Sequence, residues 1–250
     1  MNIRLTALLL LSLAACSPRT PAPEQGRPWR EFVLDLTRVD ALPRLDVPGT
    51  ELISTFDPTG ANDDFNRFRG PGREAGWVLL ADLTGPGVVR RFWTTGQDPG
   101  HRFRLYFDGA TKPQVDGTIE EVFGGRAPFQ VPLARYLNLC WFSYVPLTYQ
   151  KSLRIEMQAP NTHPLWGPRR LFYQLNVERL PAGTMVQSFP TRLTPEDEAA
   201  LRAVATAWSN AVVTSSTPAD PAAATTIAPG ASSSLLDLAG PGRVESWTLH

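Results

Sequence analysis

The 250-residue chain carries 24 basic and 24 acidic residues, so no net field draws it to nucleic acid or to an anionic surface. Its 24 Pro and 19 Gly, with 12 Phe, 7 Trp and 5 Tyr, argue against a helical bundle and for many short strands joined by tight turns. The length allows one large β domain or two small ones, and a neutral, aromatic-rich β protein suits an uncharged ligand such as a sugar.

The first segment reads as a targeting sequence rather than as fold. Arg4 gives it a basic start, Leu5–Leu13 is an apolar run too short to span a bilayer stably, and it ends in Leu13-Ala14-Ala15-Cys16. That ending resembles a bacterial lipoprotein signal, in which Cys16 is lipidated and becomes the first residue; two acyl chains suffice for stable anchoring. The expected location is therefore the cell envelope, with the membrane contacted through the lipid alone. Cys140 is then the remaining thiol, set in the apolar LNLCWFSYVPL as a small hydrophobe.

Residues 17–28 (SPRTPAPEQGRP) read as a flexible tether. Phe32, Val33, Leu36, Val39 and Leu42 fit one or two short amphipathic helices, with Thr37 and Asp40 as a capping pair and Pro43 as a stop. The stretch from Ser54 to Trp93 carries the chemistry-bearing residues. An oxygen-rich loop (Asp57, Thr59, Asn62, Asp63, Asp64) precedes a Gly/Pro-rich turn, and an apolar run from Trp77 to Leu83 breaks at GPG and resumes as Val88, Val89, Phe92 and Trp93. A core strand pair behind that loop is expected. Period-two alternation then marks Phe103, Leu105 and Phe107, with an Asp108-Gly109 turn, followed by Leu153, Ile155 and Met157, and by Leu171, Tyr173, Leu175 and Val177. IEEVFGGRAPFQVPL reads as a loop-rich connection, and Glu120 and Glu121 as strand neighbours that face opposite ways. Thr194 is an N-cap before Pro195, and Leu201, Val204, Ala205, Trp208, Ala211 and Val212 form one apolar helical stripe. Residues 214–224 read as a linker.

The fold expected from this pattern is mainly β: an antiparallel jelly-roll sandwich with a few flanking helices. ADLTGPGVVRRFW (Ala81–Trp93) also lies without gaps on LDLAGPGRVESWT (Leu236–Thr248), about one domain further on. The expected domains are a signal peptide at 1–16, a tether at 17–28, a first jelly roll at 29–192, helix and linker at 193–226, and the first strand or strands of a truncated second jelly roll at 227–250.

Several chemistries fall away. No Gly-rich turn follows a strand and opens a helix with Gly-Lys-Ser/Thr, His101, His163 and His250 have no ligand spacing, and there is no G-x-S-x-G elbow. No cofactor or metal is expected. The loop DPTGANDD stays open to three readings: a turn held by side-chain-to-backbone bonds, contacts from Asp57, Asn62, Asp63 and Asp64 to sugar hydroxyls, or a hard cation.

STFDPTGANDDF, GWVLLADLTGPGVVRRFW, LYFDG, EEVFGG, SYVPLTYQKSLRI, FYQLNVERLPAGTMVQSF and LAGPGRVESW occur in an order that resembles the family first catalogued as domain of unknown function 2961 and linked to glycoside hydrolase family 172. The resemblance spans Trp29 to His250. It implies two jelly rolls, assembly as homotrimers or larger rings, and action on furanosides of the D-fructofuranoside or D-arabinofuranoside type. It also implies that the two catalytic glutamates belong to the second jelly roll, so no catalytic residue is assigned and this chain is expected to be inactive as it stands. Ala61 replaces the family's usual second glycine of TGG, which matters only if φ is positive there. The alternatives are a non-catalytic carbohydrate-binding lipoprotein, in which Trp141, Phe142 or Trp166 stacks on sugar rings, and a structural trimeric jelly roll.

Overall fold

The computed structural model describes residues 26–39, 50–96, 98, 100–163, 167–210 and 226–234. In chain order they form helix α1 (Trp29–Leu34) and a 3-10 turn (Asp35–Thr37), then strands β1 (Thr50–Ser54), β2 (Gly70–Pro71), β3 (Trp77–Thr84), β4 (Gly87–Thr95), β5 (Arg102–Phe107) and β6 (Val115–Thr118). Helix α2 (Ile119–Phe123) comes next, then β7 (Ala134–Leu137), β8 (Cys140–Ser143), β9 (Leu147–Tyr149), β10 (Ser152–Gln158), β11 (Thr162–His163), β12 (Gly167–Pro168), β13 (Phe172–Arg179) and helix α3 (Pro195–Asn210). One sheet runs β1-β13-β4-β8-β7, with β9 also on β4; the other runs β2-β3-β10-β5-β6. Every ladder in both sheets is antiparallel. The architecture is the mainly β, two-sheet sandwich of jelly-roll type that the alternation predicts.

The expected pairing of β3 with β4 does not occur. β3 lies between β2 and β10 in one sheet and β4 between β13 and β8 in the other, so Gly85-Pro86-Gly87 is a corner between sheets rather than a hairpin. The two glycines are there for space. A β-carbon on Gly85 would sit 2.8 Å from Cδ2 of Tyr149, and one on Gly87 would run into the Tyr149 hydroxyl. Tyr149 is wholly buried against this corner.

Two bulges re-aim the strands that leave it. In the β13–β4 ladder Asn176 faces Arg91 but Val177 faces Val89, which leaves Arg90 as the extra residue. Val89 and Phe92 therefore enter the core between the sheets, whereas Val88 packs with Phe32 and Val186 in a separate cluster. In the β10–β3 ladder the same irregularity comes after Ile155, and Leu80 and Ala81 are both buried. Burial of Leu153, Ile155, Met157, Tyr173, Leu175 and Val177 stabilises the sandwich at roughly 25 cal/mol per Å² of apolar surface. Tyr173 also donates a 3.0 Å hydrogen bond to the Leu80 carbonyl, tying one sheet to the other.

The helices close onto the same core. Trp29 is wholly buried, donates its indole N–H to the Pro146 carbonyl at 2.8 Å and meets the Phe189 ring edge-on. Just before it, Arg27 makes a parallel bridge to Val186, with Arg27 N–H donating to Met185 O and Gln187 N–H to Arg27 O. Of the expected helical region, Trp29–Leu34 and Asp35–Thr37 are helical and Thr37 donates to Leu34 O, while Asp40, Leu42 and Pro43 lie outside the described residues. In α3 the Thr194 hydroxyl accepts from Asp197 N–H and the Asp197 carboxylate from Thr194 N–H, a reciprocal cap. Leu201 and Val204 are buried and Trp208 donates to Leu36 O; Ala211 and Val212 lie outside the described residues.

Helix α2 replaces the loop expected around Glu120. Thr118 and Glu121 form a capping box, so Glu121 serves the helix start and the two glutamates are helical neighbours, not strand neighbours. Residues 226–234 form a turn flanked by irregular chain; the repeat at 236–248 and Cys16 lie outside the described residues. Among the described residues no helix is long and apolar enough to cross a membrane.

The corner makes a direct prediction. Tyr149 Oη is buried without a hydrogen-bond partner among the described residues, and burial pushes the phenol up to about 12. Gly87→Ala should lower stability by about 1–3 kcal/mol through overpacking, while Tyr149→Phe should be neutral or slightly stabilising because it removes an unpaired polar atom. In urea titrations the double variant should recover part of the Gly87→Ala loss; an equal loss in both backgrounds would show that the hydroxyl is not what the new methyl meets.

Candidate functional site

Asp57 organises the loop after β1. Although charged, it is only 1% exposed. Its Oδ1 accepts from the Thr59 N–H (3.0 Å), the Thr59 hydroxyl (2.8 Å) and the Arg67 guanidinium (2.9 Å), and its Oδ2 from the Asp63 N–H (3.1 Å). Its own N–H donates to Asp64 Oδ1 at 2.6 Å. The Thr59 N–H is the largest influence holding the Asp57 carboxyl below its ordinary range; desolvation opposes it, and the Thr59 hydroxyl, the Asp63 N–H and the Arg67 charge add to it. Arg67 also donates to the Asp63 carbonyl at 2.8 Å, so the loop is closed from both ends. Asn66 then pins it to the start of β13, accepting from Leu171 N–H and donating to Arg169 O.

The loop backbone turns at Gly60 (φ 75°) and Asn62 (φ 60°). Asn tolerates the left-handed region better than most residues. Ala61, between them, is not in that region, so the missing glycine of the TGG pattern leaves no strain.

Beside the loop, the outer face of the first sheet is open. Ser54, Gln174, Trp93 and Phe142 stand in one register row across β1, β13, β4 and β8, opposite in facing to the buried row Ile53, Leu175, Phe92 and Ser143. Two cavities adjoin here. One, of about 340 Å³, is lined by Pro58, Arg67, Phe68 and Arg69. The other, of about 220 Å³, is lined by Asp64, Trp93, Phe172 and Gln174. Both take in Leu52, Ser54 and Phe56, the last of these 65% exposed. Arg91 donates to Gln174 Oε1 at 3.0 Å and to Asn176 Oδ1 at 3.4 Å. Since Arg only donates, this fixes the carboxamide with its oxygen toward Arg91 and leaves its NH₂ for the groove.

The four sequence-predicted contact residues therefore divide. Asp57 is spent on the loop itself. Asp63 is exposed, with its carboxylate 3.4 Å from Arg67, and Asn62 is exposed at the tip. Asp64 both braces Asp57 and lines the smaller cavity. Arg67 and Gln174 were not singled out by sequence, and Trp93 was read as core. The bulge at Arg90 hides the outward facing of Trp93, whereas Gln174 was open to detection as a polar position in the alternation of β13. Of the aromatic residues named as stacking alternatives, Trp141 is only 7% exposed, Phe142 is half-buried on the outer face, and Trp166 lies outside the described residues. Cys140, expected inside, is half-buried on that same face, its Sγ donating to Asn138 O. Among the described residues no group of three or more His, Cys, Asp or Glu side chains is arranged to hold a metal ion.

Residues 49–197 match the family model described as the GH172 first beta-sandwich domain, which takes in both sheets, the loop and the groove. No curated protein matches the chain.

The lowered carboxyl of Asp57 gives stability a pH dependence of definite sign. Its contribution is fully present above the unfolded value, about 4, and is lost as pH falls through the folded value below it. Asp57→Asn should lower the urea midpoint at neutral pH, and its difference from the parent protein should shrink as pH falls from about 5 toward 2. A difference that stays constant across that range would place the carboxylate outside the loop's stability.

Proposed function

This chain belongs to the GH172 family through its first β-sandwich domain, and from that premise we propose that it is the sugar-binding part of a glycoside hydrolase acting on furanosides, of the D-fructofuranoside or D-arabinofuranoside type. The observation that carries the reading is the juxtaposition of a rigid, oxygen-rich loop with an open aromatic groove, inside the region that matches the family. Aspartate and asparagine present paired acceptors and donors that suit vicinal hydroxyls. Here Asn62, Asp63 and Asp64 do the contacting, and Asp57 holds them in place. The loop is formed before ligand arrives, so little ordering entropy is lost on binding.

The carboxylates that the fold brings to this site are poorly suited to breaking the bond. A retaining glycosidase uses two carboxyl groups roughly 5–5.5 Å apart, one of them with its pKa raised to hold a proton. Asp57 is driven the other way by its four donors. The reaction is therefore assigned to glutamates of a second jelly roll, with this sandwich supplying recognition. The same proposal includes anchoring to the cell envelope through a lipid on Cys16, and assembly as a homotrimer or larger homo-oligomer.

The 250-residue protein should bind methyl α-D-arabinofuranoside or methyl α-D-fructofuranoside without hydrolysing it. Asp63→Ala should weaken that binding by about tenfold, the loss of one charge-assisted hydrogen bond, with little change in thermal midpoint because the carboxylate is exposed. Isothermal titration reads the first and calorimetry the second; hydrolysis at enzymatic rates would overturn the assignment of the chemistry to another domain.

A further inference from the structure

We propose that the 220 Å³ groove over β1, β13 and β4 is a subsite for one neutral sugar ring, with Trp93 as its stacking platform and Asp64 and Gln174 reading one of its hydroxyls. This deepens the carbohydrate-binding reading above and rests on it.

The groove is smaller than the roughly 300–1,000 Å³ of pockets that enclose drug-sized ligands, and it is open on the solvent side, which fits a single ring rather than an oligosaccharide. Its apolar wall is built for a ring face. Trp93 stands half-buried on the outer face of a central strand, and among the described residues no other ring packs against it. Phe172, also in the lining, is held edge-on by Phe65 at 6.2 Å, and Phe56 projects at the rim. A half-buried indole beside a half-buried phenyl offers its remaining apolar surface to the C–H face of a ring.

The polar edge of the groove complements a hydroxyl. Asp64 Oδ1 accepts from the Asp57 N–H, and its Oδ2 has no partner among the described residues. The Gln174 carboxamide, oriented by Arg91, keeps its NH₂ unpaired among those residues. Ser54 Oγ accepts from the Phe56 N–H and keeps its own proton to donate. A hydroxyl can donate to the acceptor-only carboxylate oxygen and accept from the donor-only nitrogen beside it.

The same arrangement selects against other ligands. An anion would meet the Asp64 carboxylate, and the Arg91 guanidinium beside Gln174 is already engaged by Gln174 and Asn176. A flat aromatic ligand would leave the Asp64 oxygen and the Gln174 nitrogen desolvated without partners, which disfavours it.

The test tracks the indole N–H resonance of Trp93 by ¹⁵N NMR while methyl α-D-arabinofuranoside, methyl α-D-fructofuranoside or the open-chain polyol D-arabinitol is added. Both furanosides should shift that resonance with one saturation curve, and arabinitol should not. Trp93→Ala should weaken furanoside binding by about tenfold or more, Trp93→Phe by less, and Gln174→Ala by several-fold, with urea midpoints confirming that each variant is folded. Gln174→Ala keeps the proposal open to failure if Trp93→Ala does not fold. If Asp63→Ala abolishes binding while Trp93→Ala, Gln174→Ala and the Trp93 resonance are all unaffected, the groove is not the subsite and the loop reading stands without it. If the groove variants lose binding but methyl pyranosides bind as well as furanosides, the subsite stands and the furanoside assignment falls. Absence of binding to any of these glycosides overturns both.

Discussion

Between Thr84 and Val88 the chain leaves one sheet and enters the other in three residues, at a point where the Tyr149 ring leaves no room for a β-carbon on either flanking glycine. That corner sets the placement of β4 as a central strand of the first sheet, bordered by β13 on one side and by β8 and β9 on the other. The bulge at Arg90 then sets the phase of the rest of β4: Phe92 turns in to meet the Phe103 and Phe123 rings, and Trp93 turns out. The core and the groove are thus two faces of one short strand, and both inherit their geometry from the corner upstream.

The loop after β1 obeys a different constraint. It carries three aspartates within eight residues, which would repel one another if they converged in one exposed cluster. The fold separates them by role. Asp57 goes inside and is neutralised by four donors, Asp64 braces its N–H, and Asp63 turns outward beside Arg67. Arg67 is itself held by the Asp63 carbonyl, so the loop is rigid through its own hydrogen bonds and does not depend on a ligand to shape it. Precision at such a site comes from this internal satisfaction.

Much of the fold was legible in the sequence. Strands β5, β10 and β13 bury the apolar set that the period-two pattern marks, although Tyr106, Glu156 and Glu178, on the opposite phase, are buried as well. The α3 cap was visible as Thr194 before an acidic first turn. The features that escaped were non-local or too short. Whether β3 and β4 pair depends on Tyr149, more than sixty residues away, and no turn rule contains it. Helix α2 has five residues, below the length at which periodicity speaks, although the Thr118-x-x-Glu121 box was available as a local sign. At the site, the oxygen-rich loop was legible but its division of labour was not, because Asp57 and Asp63 differ only in which one folding buries. Trp93 read as core because a bulge shifts the alternation by one, and bulges leave no mark in apolar spacing.

The way the chain enters the domain has a mechanical consequence. Residues 26–29 are held by the Arg27–Met185 and Gln187–Arg27 backbone bonds, by the Gln187 side chain on the Trp29 N–H, and by the Trp29 indole under Pro146. Because Arg27 and Val186 run in the same direction, a pull from the N-terminal side loads those two backbone bonds together, in shear, instead of peeling them one after the other. Force applied at that end meets this clasp before it meets β1.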